Sequence, residues 1–310
     1  MNNPGVSEPI NLTRLSSLEN YIRSTILGQE HVLSRITSAL LRGELGLRKI
    51  NRPRASFLLL GPTGVGKTEI TVAFTHYLYG PERLFRFDMS EYQTMESLSH
   101  LLGTLNTEGS LAKVCDNHNK GTLLFDEIEK AHPRILDIFL QILDAARVTT
   151  ASGKTLYLSG FTIVFTSNIA SAELLDLQHS TFATMERHVL TRAQQQMRPE
   201  LYARINEKLV FQKLSYEVLL EIAQQLLTQE LAFLATKGHI LTPTGRTLNF
   251  LVKHGYHPRL GARPMRDAVE RLLGEAIVSS LLSGGTGCGV VDLDPSAARL
   301  QVIPVKAVPF

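Results

Sequence analysis

The sequence predicts an α/β protein: a parallel sheet with helices on both faces, followed by a smaller, mostly helical domain. Three observations carry that prediction. Short apolar runs alternate with longer helical patterns over the first two thirds of the chain. Those runs are apolar at nearly every position, as strands buried on both faces are. After Phe211 they give way to two long amphipathic patterns. A chain of 310 residues accommodates one large and one small domain. The reading is a loose tail over 1–12, a large domain over 13–212 and a small domain over 213–310.

The elements follow in order. Leu15 to Leu47 is helical, interrupted at "ILGQE" (26–30), where Gly28 permits a turn, and Arg52-Pro53-Arg54 ends the pattern. The predicted strands are "SFLLL" (56–60), "LFRFDM" (84–89), "TLLFDE" (122–127), "FTIVFTSN" (161–168) and "KLVF" (208–211). Ser215 is placed to cap a helix whose first turn carries Glu217. Leu219, Ile222, Leu226 and Phe233 share a face of that helix until Gly238 stops it. A second helix carries Val269, Leu272, Leu273, Ala276 and Ile277. The chain closes in a hairpin, Val291/Leu293 and Leu300/Val302 alternating around Asp294-Pro295-Ser296.

Composition narrows the function classes. The longest apolar runs are strand-sized and fall short of the roughly 20 residues of a membrane helix, so no membrane role is expected. "MNNPGVSEPINL" has neither the basic nor the apolar segment of a secretory signal. Cys115 and Cys288 lie far apart and match no metal or disulfide spacing, which suits a reducing cytoplasm. A net charge of +3 does not argue for nucleic acid. The basic stretch 42–54 reads as a solvated helix end and linker, since no aromatics interleave it for base stacking.

The chemistry enters at "LLLGPTGVGKTEI". Gly61, Pro62, Thr63, Gly64, Val65, Gly66, Lys67, Thr68 and Glu69 lie directly after an apolar strand and open a helix, the setting that a phosphate-binding loop requires. Glycines let successive backbone N–H groups curl round a β-phosphate, and the helix N-terminus adds its positive dipole end. Lys67 is placed to reach the β- and γ-phosphates of ATP, and the Thr68 hydroxyl to hold Mg²⁺. In "TLLFDEIEKAH" an apolar strand ends in Asp126-Glu127. Asp126 suits the Mg²⁺ water shell, and Glu127 suits orienting and deprotonating the attacking water. Asn168, at the tip of "FTIVFTSN", is placed to position the same water.

Together these motifs resemble the AAA+ ATPases, in particular the second ATPase module of the Clp/Hsp100 family. The stretches "ILGQE", "SFLLLGPTGVGKTE", "DMSEY", "LLFDEIEKAHP", "LQILD", "VFTSN", "MRPELYARINE" and "GARPMRDAVERLL" match in order and span about residues 15–305. The resemblance implies a three-layer α/β/α ATPase domain, a helical lid domain and assembly into a homo-oligomeric ring, usually a hexamer, with ATP between subunits. It implies that Arg204 is an arginine finger reaching the neighbour's ATP, with Arg198 as second choice, a role that an always-charged planar fork suits. It implies that Arg263 is the lid arginine that senses the γ-phosphate, and that Ile26 and Leu27 flank adenine.

Three departures from the family pattern bear on function. The family's threading loop, an aromatic-glycine segment, falls within "HLLGTLNTEGSLAKV" (100–114); here the segment is about half a dozen residues shorter and has no aromatic, and Thr104, Leu105 and Asn106 lack the contact area of a Tyr. The nearest aromatic, Tyr92, belongs to "DMSEY" and is expected to pack in the fold. Residues 169–196 contain no glycine, which argues against the Ile-Gly-Phe-type tripeptide that docks on a Clp peptidase. Ala145-Ala146 stand where a carboxylate and a glycine are usual. The family's N-terminal domain and first ATPase module have no counterpart here, so a stand-alone motor is expected. The first reading is therefore a remodelling motor acting on a dedicated protein partner. A threading unfoldase gripping through other residues, an ATP-timed assembly scaffold and, last, a nucleic-acid motor are the alternatives.

Overall fold

The computed structural model describes residues 11–49, 51–176 and 180–304. Of the predicted tail, only Asn11 and Leu12 lie within the described residues, and Asn11 caps the first helix through its side chain. The chain divides into two compact units, Met1–Gly61 with Gly66–Gln212, and Pro62–Val65 with Lys213–Phe310.

The first unit opens with helices α1 (Leu12–Ser16), α2 (Leu18–Thr25) and α3 (Glu30–Glu44). It continues as β1 (Ala55–Leu60), α4 (Lys67–Tyr79), β2 (Leu84–Asp88), α5 (Ser97–Leu102), α6 (Ser110–Asn117), β3 (Gly121–Asp126) and α7 (Pro133–Ala145). Then come β4 (Arg147–Thr149), β5 (Thr155–Tyr157), β6 (Phe161–Ser167), α8 (Glu173–Asp176), α9 (Phe182–Gln196), α10 (Pro199–Arg204) and β7 (Glu207–Val210). Five strands form one sheet in the order β2-β3-β6-β1-β7, and every neighbouring pair is parallel. β1, β3 and β6 are buried at every position, which is why their sequences are continuously apolar. The core beneath their carboxyl ends is aromatic. Phe125 lies 4.5 Å from Phe139 and 5.6 Å from Phe165, ring centroid to centroid, and Phe139 lies 5.1 Å from Phe165.

Parallel pairing with this register aligns the strand tips. Leu60 stands opposite Ser167, and Phe125 opposite Phe165, so the residues following β1, β3 and β6 emerge along one edge of the sheet. In open parallel sheets that carboxyl edge is where ligands bind.

The stretch 147–157 holds a two-stranded antiparallel hairpin, β4 with β5. Tyr92 is buried in the core, with its hydroxyl 3.4 Å from the Ser110 hydroxyl.

The second unit holds α11 (Tyr216–Thr236), β8 (Leu241–Pro243), α12 (Gly245–Gly255), α13 (Met265–Leu282), β9 (Gly289–Asp294) and β10 (Arg299–Ile303). Ser215 caps α11 by accepting the Val218 N–H at 3.3 Å. Val269, Leu272, Leu273, Ala276 and Ile277 are all buried on α13, as their spacing predicts. The predicted hairpin pairs Val302 with Val291 and Leu300 with Leu293, and β8 extends it to three strands. The α11 face needs correction. Its buried stripe is Leu219, Ala223 and Leu227, while Phe233 is 54% exposed with the Lys237 ammonium 5.6 Å from its ring. Reading only the large side chains set the stripe too far round the helix, because Ala223 lies at its centre.

Candidate functional site

The loop between β1 and α4 begins and ends in left-handed backbone. Gly61 has φ +135° and Gly66 φ +103°. A Cβ on Gly61 would stand 2.4 Å from the Phe211 carbonyl, whereas one on Gly66 would meet nothing within 4 Å. Gly61 is therefore glycine for packing as well as conformation, and Gly66 opens the start of α4 to whatever approaches it. No side chain caps that helix start, and a helix N-terminus with its dipole suits an anion.

Lys67 is buried, and burial pushes its ammonium down to about 8 against the pull of Glu129, Asp126 and Glu127. Its Nζ donates to the Gly61 carbonyl and, at 2.9 Å, to Asn168 Oδ1. The other end of the same amide, Asn168 Nδ2, donates to Glu127 Oε1 at 3.2 Å. An ammonium only donates and a carboxylate only accepts, so this is the one amide orientation that satisfies both neighbours. The Asn168 N–H in turn donates to Glu129 Oε1 at 3.1 Å. Asn168 thus links the loop after β1 to the carboxylates after β3.

Glu127 has φ +56°, a left-handed conformation that costs a non-glycine residue roughly 1–2 kcal/mol. The surroundings hold it there: Thr166 Oγ1 accepts its N–H at 3.1 Å, and its Oε2 is ion-paired with Lys130. The same Thr166 hydroxyl donates to Asp126 Oδ1 at 2.8 Å. Asp126 is buried, and Arg86 Nε stands 2.5 Å from its Oδ2. That guanidinium offsets the charge, and Oδ2 is held in this ion pair rather than by an aligned hydrogen bond. The Arg86 side chain is half exposed, so this buried carboxylate can exchange it for a hydrated cation. The arrangement therefore joins an anion-accepting helix start, a cation-accepting carboxylate and a partly exposed carboxylate base on one sheet edge.

Two families match the chain. Residues 52–208 match the AAA domain (Cdc48 subfamily), and residues 214–290 match the C-terminal, D2-small domain of ClpB protein. The chain belongs to the AAA+ family, in its Clp/Hsp100 branch. Chaperone protein ClpB 2 of Nostoc sp. is 36% identical over 305 residues, covering 94% of this chain and 35% of that protein. A protein named ATP-dependent Clp protease ATP-binding subunit ClpA homolog, from Cyanidium caldarium, is 34% identical over 290 residues, 87% of this chain and 34% of its own length. Chaperone protein ClpB4, mitochondrial, of Arabidopsis thaliana is 34% identical over 310 residues, 94% of this chain and 32% of that protein. The chain thus spans about a third of the length of these relatives.

In this AAA+ chain the other predicted site residues lie as follows. Thr68 is half-buried in the first turn of α4, and Glu69 beside it is exposed. Ile26 is buried where α2 ends, and Leu27 is half-buried after it. The segment they lead into is fixed to the carboxyl end of β7: Gln29 Nε2 donates to the Gln212 carbonyl at 2.9 Å, and His31 Nε2 lies 2.9 Å from the Val210 carbonyl. Arg204 makes its contacts away from Lys67 and Glu127, pairing through Nε with Asp144. Arg198 pairs with Asp137 at 2.6 Å. Arg263 belongs to the second unit, exposed in the turn before α13.

Three positions escaped the sequence reading: Thr166, Glu129 and Lys130. Thr166 was recoverable, because it lies two residues before Asn168 and so shares its face of β6. Glu129 and Lys130 follow the strand tip in a single 3₁₀ turn, Ile128–Lys130, too short for a period to give direction.

Proposed function

We propose that this chain is an Mg²⁺-dependent ATPase module that assembles as a homo-oligomeric ring, with six subunits as the expected number, and does mechanical work on a protein partner. The observation that carries it is the continuous chain Lys67–Asn168–Glu127, which ties a phosphate-binding lysine to a general base through one amide. Gly61 to Glu69 wrap the phosphates, their backbone N–H groups and the α4 dipole facing the negative charge. Thr68 and Asp126 would hold Mg²⁺, which when bound offsets charge on the phosphates. Glu127 takes the proton of the attacking water, and Asn168 fixes where that water sits relative to Glu127. On binding ATP, Lys67 exchanges its Asn168 and Gly61 partners for phosphate oxygens. Ile26 and Leu27 flank the adenine, and Arg263 responds to the γ-phosphate.

Arg204 acts across the subunit boundary, stabilising charge on the neighbour's γ-phosphate as it leaves. The partner is a protein. The turn at 103–109 supports remodelling of a docked assembly rather than processive threading, because Thr104 bonds to Asn106 and Thr107 within it and its exposed apolar side chain is a leucine rather than an aromatic. Two free thiols suit a reducing compartment, and we place the protein in the cytoplasm. Among the described residues no helix is long and apolar enough to cross a membrane.

The test mixes two inactive variants. Arg204→Ala is expected to bind ATP normally yet lose about 10³–10⁵-fold in turnover. Lys67→Ala is expected to lose ATP binding. Mixing the two should restore part of the activity, since Lys67→Ala subunits donate intact arginines to Arg204→Ala sites. Absence of rescue together with a monomeric state at high concentration in ATP would overturn the shared-site reading. Unfolding of a generic tagged protein by the wild type would overturn the preference for a dedicated partner.

A further inference from the structure

The two candidate finger arginines are docked on one helix. Arg204, the last residue of α10, pairs through Nε with Asp144 Oδ2, and its Nη1 donates to the Glu200 carbonyl at 3.2 Å. Arg198, just before α10, pairs with Asp137 and donates to the Pro133 carbonyl at 3.3 Å. Asp137 and Asp144 lie seven residues apart on α7, about two turns, and so share one face of it. The Asp144 site is the more built of the two. Its other oxygen accepts Arg52 Nη1 at 3.0 Å, and the same nitrogen donates to the Leu143 carbonyl at 2.6 Å. One carboxylate therefore gives one oxygen to each of two guanidinium groups.

Stability alone is a poor reason for this arrangement. Asp144 stands in the last turn of α7, where the helix dipole disfavours a negative charge. The side chains of Asp144, Arg204 and Arg52 are each more than a third exposed, and pairs of that kind contribute about 0–1 kcal/mol. What the arrangement supplies is direction. Leu201 and Ile205 are buried on either side of Arg204, and the Asn206 N–H donates to Ser56 Oγ at 3.0 Å, so the backbone there is fixed to β1. With Nε and Nη1 both engaged, only Nη2 has no partner among the described residues.

We propose that Asp144 is the positioning residue for Arg204: it holds the guanidinium by its Nε edge and leaves Nη2 as the end presented to the neighbouring subunit's ATP. This rests on the reading that Arg204 acts across a subunit boundary. The side chain would otherwise sample many rotamers, and a finger misplaced by about 1 Å forfeits about 10²-fold in rate.

The test uses the full chain and compares Asp144→Asn, Asp144→Glu, Asp137→Asn and Arg204→Ala. Asp144→Asn is expected to lower turnover about 10²-fold, with ATP affinity within about twofold and melting within about 4 °C of wild type. Asp144→Glu should recover part of the loss, and Asp137→Asn should stay within about twofold of wild type. Mixing Asp144→Asn with Lys67→Ala subunits, which supply correctly held fingers, should raise turnover at the Asp144→Asn sites. Mixing it with Arg204→Ala should not. Wild-type turnover of Asp144→Asn beside a dead Arg204→Ala would overturn the positioning role and leave the finger intact. So would a loss of ATP binding or a collapse in melting that Lys67→Ala subunits fail to rescue. Wild-type turnover of Arg204→Ala would instead overturn the finger itself.

Discussion

The carboxyl edge of the sheet and the loops 103–109 and 146–157 are built from similar residues to opposite ends. Each region holds a non-glycine residue in left-handed backbone, Glu127 at φ +56° and Ala146 at φ +45°. At the sheet edge the strain comes with polar atoms aimed at one another across three strand tips, Lys67, Asn168, Glu127 and Thr166. In the loops the polar atoms close on themselves. Thr104 donates its N–H to the Thr107 carbonyl at 2.8 Å, while its hydroxyl accepts the N–H groups of Asn106 and Thr107. Gly103, at φ +87°, allows that closure, since a Cβ there would stand 2.4 Å from the Thr107 carbonyl. Lys154 then ties the hairpin to Asp116 and, at 3.6 Å, to Glu108. Residues 104–108 are all exposed, Leu105 at 80%, and Tyr157 on the hairpin is 69% exposed. Strain beside polar groups gathered from several strand tips marks a place where a ligand can exchange with their partners. Strain beside satisfied groups marks a chain being turned.

That contrast can be broken first at Glu127. Replacing it by Gln keeps the amide contact to Asn168 but removes the base, and turnover is expected to fall about 10²–10⁴-fold. ATP binding, measured with a fluorescent analogue, should persist, and the partner complex should be trapped. Phosphate release at the wild-type rate would remove Glu127 from the mechanism.

Next in size is one substitution made in both regions. Thr166→Val is nearly isosteric, yet it deprives Asp126 Oδ1 of its donor and the Glu127 N–H of its acceptor. It is expected to cost about 1–3 kcal/mol in denaturant melts, and to lower turnover more than ATP affinity, because the Glu127 backbone loses its anchor. Thr104→Val, in a solvent-exposed turn, should cost less than about 1 kcal/mol and leave turnover unchanged. Equal effects at the two threonines would erase the distinction between the regions.

Much of this was legible from sequence, for a physical reason. Strands buried on both faces have no freedom to be polar, so β1, β3 and β6 announce themselves. The phosphate loop is a local motif, and its glycines are fixed by backbone need. The three-residue strands β4, β5 and β8 are too short for a period to emerge. Arg204 and Asp144 are sixty positions apart in the chain, and no spacing rule joins them. Phe233 was placed inside because it is large, when the buried stripe of α11 is set by the small Ala223.

The smallest effect is the cleanest test of whether the second strained residue is merely tolerated. Ala146 ends α7, with its N–H on the Ile142 carbonyl at 2.8 Å and its own carbonyl accepting the Leu158 N–H at 2.7 Å. Its methyl is buried, so the position is held by hydrogen bonds and packing against a left-handed preference of roughly 1–2 kcal/mol. Ala145, one residue earlier, is the last residue of the helix. Ala145→Gly should therefore cost about 1 kcal/mol, the ordinary helix penalty. Ala146→Gly pays a similar chain-entropy cost but relieves the backbone, and should be neutral to about 1 kcal/mol stabilising. Denaturant melts of the two variants should differ by about 1–2 kcal/mol, with turnover unchanged in both. Equal destabilisation would mean that Ala146 is not strained, and that the turn into the hairpin is set by the chain beyond it.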